Sequence, residues 1–114
     1  MTTIYHNPRC SKSRATLTLL EEQGISPDVV LYLETPPDAD EIIVLTRKLG
    51  MSIRQIMRSG EAVYKELHAG SPDHNEDDLV KMVADNPILL ERPIVVNGDR
   101  AAIGRPPENV LEIL

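Results

Sequence analysis

Cys10 is the only cysteine of the chain, and it sits in a run suited to nucleophilic chemistry, TTIYHNPRCSKSR from Thr2 to Arg14. A short apolar segment with β character precedes it and a helical pattern follows. A thiol at such a junction lies where the first helical turn leaves backbone N–H groups unpaired. The partial positive charge there, roughly half a unit, favours thiolate over thiol and can hold an anion. Arg9, Lys12 and Arg14 add positive charge close by. His6 could donate a hydrogen bond to the sulfur, or orient it, and Ser11 and Ser13 offer hydroxyls that could cap the helix. A free thiol has a pKa of about 8.5, and surroundings of this kind lower it. A lone cysteine is more often a small buried hydrophobe. The polar and cationic neighbours on both sides of Cys10 argue for a reactive one.

Three arginines stand at the ends of elements rather than on helix faces. Arg58 precedes Ser59-Gly60, Arg92 precedes Pro93 and a strand, and Arg105 lies between Gly104 and Pro106. Junctions of a small α/β sheet tend to border its ligand crevice. The planar guanidinium fork suits a tetrahedral oxyanion. Singly, each also reads as a solvated surface arginine; jointly with Cys10 they describe a thiolate beside an oxyanion site. His68 and His74 lie in a polar stretch and make no metal-ligand spacing with Cys10. The acidic residues near Glu34, Asp38, Asp40 and Glu41, and again Glu76, Asp77 and Asp78, read as helix starts. There is no glycine-rich phosphate loop.

The elements that must position these groups follow from hydrophobic period and turn chemistry. Thr3 to His6 reads as a strand ended by Asn7-Pro8, and Ser11 to Gln23 as a helix with Leu17, Leu20 and Gly24 on one face. Val29 to Leu33 reads as a second strand, which makes a right-handed βαβ unit with parallel strands. Thr35-Pro36-Pro37 breaks the chain. Asp38 and Glu41 form a capping box for a helix through Leu49, closed by Gly50. Ser52 starts a shorter helix with Ile53, Ile56 and Met57. Glu61 to His74 reads as loop or short helical turns. Asn75 caps a helix through Asp85 that Asn86-Pro87 stops. Ile94 to Asn97 and Ala101 to Gly104 read as strands around the hairpin turn Asn97-Gly98-Asp99. Pro106 opens a closing helix with Val110, Leu111 and Leu114. The order β-α-β, helical insertion, β-β-α is an α/β, thioredoxin-like arrangement with a mixed sheet. It predicts one domain over residues 1–114 with a helical insertion at about 36–86. That fold usually carries a cis-proline before its third strand, so the Arg92–Pro93 bond is expected to be cis.

The chain has 114 residues, 41% hydrophobic and 26% charged, with no Phe or Trp, so its core must be aliphatic. A net charge of −6 argues against a nucleic-acid partner. No apolar run approaches a membrane span, and no signal peptide is evident. One cysteine excludes an internal disulfide, and a reducing cytoplasm is the expected location.

With Cys10 and the junction arginines in view, the chain resembles a shorter form of the arsenate reductase family, glutaredoxin- and glutathione-dependent and thioredoxin-fold. The carrying motifs are IYHNPRCSKSR at 4–14, YLETPP at 32–37, Arg58 with YKEL at 64–67, NPILLERPIVV at 86–96 and IGRPPENVLEIL at 103–114. Well-known members have Gly-Thr-Ser after the cysteine, where this chain has Ser11-Lys12-Ser13. The resemblance implies that Cys10 attacks arsenate, that His6 helps depress its pKa, and that Arg58, Arg92 and Arg105 bind the oxyanion. Ser13, Arg14 and Pro93 would support them. It implies glutathione as reductant and glutaredoxin as partner, with no metal and no bound cofactor. Two other readings stay open. One is a thiol oxidoreductase acting on another oxyanion or a glutathione mixed disulfide. The other is a redox-sensing transcription regulator that binds RNA polymerase; that group carries Cys-x-x-Cys, and here the second position is Ser13.

Overall fold

The computed structural model describes all residues, 1–114. They form two compact units, Met1–Thr35 with Arg92–Leu114, and Pro36–Glu91.

The first unit is built on a four-stranded sheet: β1 (Thr2–His6), β2 (Asp28–Leu31), β3 (Ile94–Asn97) and β4 (Arg100–Ile103). Their order across the sheet is β2-β1-β3-β4. β1 runs parallel to β2 and antiparallel to β3, and β4 returns antiparallel along β3, so the sheet is mixed. Helix α1 (Ser11–Glu22) makes the crossover between the parallel pair. Ile4, Leu20, Val95, Val110 and Ile113 form the core of this unit, with Leu17, Leu19, Ile25 and Ala102 packed against it. The buried stripe of α1 is Ser13, Thr16 and Leu20, a three-to-four-residue period whose N-terminal end is polar.

Several boundaries differ from the expectation, each for a local reason. β2 stops at Leu31, because the Leu31 carbonyl accepts the N–H groups of Glu34 and Thr35 and turns the chain. Glu34 therefore stands in a turn and not at a helix start. β4 begins at Arg100, directly opposite Asn97, so the hairpin loop is Gly98-Asp99 alone. Gly98 has φ 63 while Asp99 keeps a negative φ, the pattern of a type II′ turn. The closing helix is a 3-10 helix over Pro107–Ile113, with Pro106 extended before it. Val110 and Ile113 are buried whereas Leu111 and Leu114 are exposed, which fits a period of three. The Arg92–Pro93 bond is cis, as expected, and so is Arg105–Pro106, which was not.

The second unit is helical: α2 (Ala39–Leu49), a 3-10 turn at Arg54–Ile56, α3 (Ala62–Glu66), α4 (Glu76–Asp85) and a 3-10 turn at Pro87–Leu89. The predicted helix after Ser52 is thus only one 3-10 turn. Capping boxes start α2 at Asp38 and α4 at Asn75. The unit buries Ile42 and Leu45 of α2 and Leu79, Val80 and Val83 of α4, and the two helices pack together. Met57 pairs with Leu90 in an isolated antiparallel bridge, flanked by Arg58 N–H to the Leu89 carbonyl at 2.7 Å and Glu91 N–H to the Ile56 carbonyl at 2.8 Å. No helix is long and apolar enough to cross a membrane.

Candidate active site

Cys10 is the N-cap of α1, with φ −93 and ψ 122. Its extended backbone follows from the turn before it, in which Cys10 N–H donates to the Asn7 carbonyl at 3.0 Å. Its own carbonyl accepts Arg14 N–H at 3.0 Å and so begins the helix. Neither Ser11 nor Ser13 caps α1. Ser13 is fully buried, and its Oγ accepts the Asn7 N–H at 3.0 Å and lies 2.6 Å from His6 Nδ1. The cap position is held by Cys10 itself.

The sulfur sits among donors. Arg105 Nη2 lies 3.5 Å from Cys10 Sγ, and Arg105 Nε donates to the Arg92 carbonyl at 2.7 Å. Burial pushes the Cys10 thiol up. Hydrogen bonds from the Ser13 N–H, the Arg92 side chain and the Lys12 N–H, together with the charge of Arg105, outweigh burial and leave its pKa below the ordinary value. The thiolate is therefore reached more easily than in a free cysteine, through two guanidinium groups and two helix amides.

His6 is buried and held below its usual pKa, first by burial and then by the charge of Arg14. It pairs with Ser13 rather than donating to the sulfur. A neutral ring can accept the Ser13 hydroxyl proton at Nδ1, so His6 works through the loop and adds no positive charge beside Cys10. Arg14 Nη1 donates to the Pro8 carbonyl at 2.8 Å and ties the loop to the helix. Arg58 belongs to the Pro36–Glu91 unit. Its Nε donates to Glu61 at 3.1 Å and its Nη1 to Glu91 at 2.7 Å, and the carboxylates raise its pKa against the opposing effect of burial. No group of three or more His, Cys, Asp or Glu side chains is placed to hold a metal ion.

Two positioning residues were not singled out in the sequence. Gly104 N–H donates to the Pro93 carbonyl at 2.9 Å, and its Cα faces α1 so closely that a Cβ would lie 2.4 Å from Thr16 Oγ1 and 2.8 Å from Pro93 Cγ. Thr16 Oγ1 donates to the Lys12 carbonyl at 2.8 Å. This contact sets the end of β4, and with it Arg105, against the N-terminal turn of α1. The available signal was a glycine directly before a junction arginine.

A thioredoxin-like sheet with one cysteine at a helix N-cap, and arginines just before the cis-proline and after the last strand, defines a class of thioredoxin-fold proteins with a single thiol at the head of the first helix. The chain belongs to the ArsC family, whose model matches residues 5–113. It is 53% identical over 112 residues to a protein named arsenate reductase from Neisseria meningitidis serogroup A, covering 97% of this chain and 96% of that one. It is 50% identical to one of the same name from Haemophilus influenzae, covering 97% of each. The solved structure of an arsenate reductase from Vibrio cholerae superposes with a TM-score of 0.98 at 53% identity, covering 99% of this chain and 97% of the other.

Proposed function

We propose that this chain reduces arsenate to arsenite, with Cys10 as nucleophile and external thiols as electron source. The observation that carries the reading is the convergence on one thiolate of the Arg92 and Arg105 side chains and the Lys12 and Ser13 amides. Relatives named arsenate reductase at about half identity supply the substrate. Arsenate is a tetrahedral oxyanion, which the guanidinium forks and the helix N-terminus suit. The Cys10 thiolate attacks arsenic, and one hydroxyl leaves as water with a proton. Arg92 and Arg105 offset the charge on the remaining oxygens. His6, Ser13 and Arg14 hold the loop, and Pro93 joins Arg92 to β3. The share in oxyanion binding that the resemblance gives Arg58 rests on the resemblance alone, since Glu61 and Glu91 already hold its guanidinium.

With no second cysteine, the adduct is opened by thiols from outside, and glutathione with glutaredoxin fills that role in this reading. Arsenate and two thiols give arsenite, a disulfide and water. The test is arsenite formation from arsenate with glutathione and glutaredoxin, comparing wild type with Cys10→Ser. Arsenite no faster than the Cys10→Ser background would refute the reading. Arg105→Lys keeps the charge and loses the fork, and removal of one such donor typically costs about a hundredfold in rate.

A further inference from the structure

The parallel strands β1 and β2 end side by side, with His6 opposite Leu31. Each runs into a tight turn. After β1, Cys10 N–H donates to the Asn7 carbonyl and Arg9 N–H to Asn7 Oδ1, both at 3.0 Å. After β2, the N–H groups of Glu34 and Thr35 donate to the Leu31 carbonyl at 2.9 and 2.8 Å. Arg9 and Glu34 thus occupy equivalent steps, each three residues beyond a member of the His6–Leu31 pair. Between the turns lies a cleft of about 310 Å³. Pro8, Leu31 and Leu33 line it with apolar surface, His6 lies at its strand end, and Arg9 and Glu34 supply one charge of each sign. Both charged side chains are exposed and neither forms an ion pair.

The volume falls within the roughly 300–1,000 Å³ of small-molecule sites. The carboxyl ends of parallel strands are where α/β sheets take ligands. A cation and an anion beside an apolar wall match a small molecule that carries an ammonium, a carboxylate and a short aliphatic stem. The cleft is built partly from the residues immediately before Cys10, and the chemistry proposed there requires a thiol from outside. We infer that the β1–β2 cleft seats this co-substrate and that it is a small zwitterionic thiol, with its carboxylate at Arg9 and its ammonium at Glu34. The inference rests on the proposed arsenate reaction for the need of a thiol, though not for the cleft's selectivity. The seated thiolate attacks the arsenic bound to Cys10. An As–S bond forms, an As–O bond breaks, and hydroxide leaves as water with a proton, so arsenic stays pentavalent. A second thiol then attacks the seated sulfur. The disulfide forms, the As–S electron pair passes to arsenic and makes it trivalent, and water displaces the Cys10 sulfur to release arsenite and restore the thiol.

The test uses thiol–disulfide exchange without arsenate, so the two readings fail separately. Oxidised glutathione carries the zwitterion, and 2-hydroxyethyl disulfide does not. Each thiolates Cys10 and releases one thiolate, which mass spectrometry follows. The rate ratio between the two disulfides cancels any change in Cys10 itself. Wild type should prefer oxidised glutathione. Arg9→Gln and Glu34→Gln should each lower that preference by about two- to fivefold, the worth of one solvent-exposed charge pair. The same ratio in all three proteins would overturn the seat, whether or not arsenite forms. A ratio that falls in the variants, in a protein that makes no arsenite, would support the seat and remove arsenate as the substrate.

Discussion

Replacing Gly104 by alanine isolates the contact that brings Arg105 to Cys10. The new Cβ would lie 2.4 Å from Thr16 Oγ1, 3.0 Å from Thr16 Cγ2 and 2.8 Å from Pro93 Cγ. Gly104 is not among the glycines with positive φ, so the substitution tests space and not backbone conformation. Neither neighbour can swing aside. Thr16 is fully buried with its hydroxyl on the Lys12 carbonyl, and Pro93 is a buried ring. The end of β4 must therefore withdraw from α1. Overpacking of this kind costs about 1–3 kcal/mol, and for a chain of this length one kcal/mol moves the melting temperature by roughly 4 °C. Gly104→Ala should melt roughly 4–12 °C lower. Arg105 moves with its neighbour, and its Nη2 starts only 3.5 Å from the sulfur. Burial would then act on Cys10 with one opposing charge weakened, so the thiol pKa should rise. Thermal melts and the pH dependence of alkylation at the single thiol measure both effects. Thr16→Ala added to Gly104→Ala removes the nearest obstruction, and the pair should be less destabilised than the sum of the singles. A Gly104→Ala protein with the wild-type melting temperature and alkylation midpoint would refute the reasoning.

The alkylation midpoint of wild-type Cys10 should lie below the free-thiol value of about 8.5, and Arg105→Gln should raise it. Because the folded pKa is lowered, the unfolded chain binds more protons in this window. Stability should therefore rise with pH up to about 8.5 and level off above, as pH-jump denaturation curves would show. Ser13→Ala strips a hydrogen bond from His6 and another from the Asn7 N–H, both buried, and should cost about 1–3 kcal/mol in denaturant titrations. His6 is also held low, so folding disfavours its protonated form; stability should decline as pH falls through about 6.5 toward the folded pKa, and His6→Gln should flatten that decline.

What could be read from the sequence is what is decided within a few residues. Asp38 and Glu41 announce α2 because a capping box spans one turn, and Gly98 announces the hairpin because a two-residue loop needs its positive φ. The Cys10 loop belongs with these, since a strand end, Asn7-Pro8 and a helix start are enough to leave a thiol at an N-terminus. The finer arrangement of that loop depended on partners that local reasoning does not rank. Ser13 was a plausible cap, yet its hydroxyl turns inward to His6 and Asn7, and His6 is spent on Ser13 instead of the sulfur.

Arg58 and Arg105 show where local reading stops. In the sequence they are alike, each a junction arginine before or after a breaker. The structure gives Arg105 a carbonyl and a sulfur, and gives Arg58 two carboxylates. One of those carboxylates, Glu61, is three residues on and within reach of sequence reasoning as an i,i+3 pair. The other, Glu91, arrives through the Met57–Leu90 bridge, a pairing across more than thirty residues that no local pattern encodes. That distant contact matters for chemistry, because a second carboxylate offsets the charge of the Arg58 guanidinium. Arg92 and Arg105 stand instead at the Pro93–Gly104 contact, with Arg105 Nη2 3.5 Å from the Cys10 sulfur.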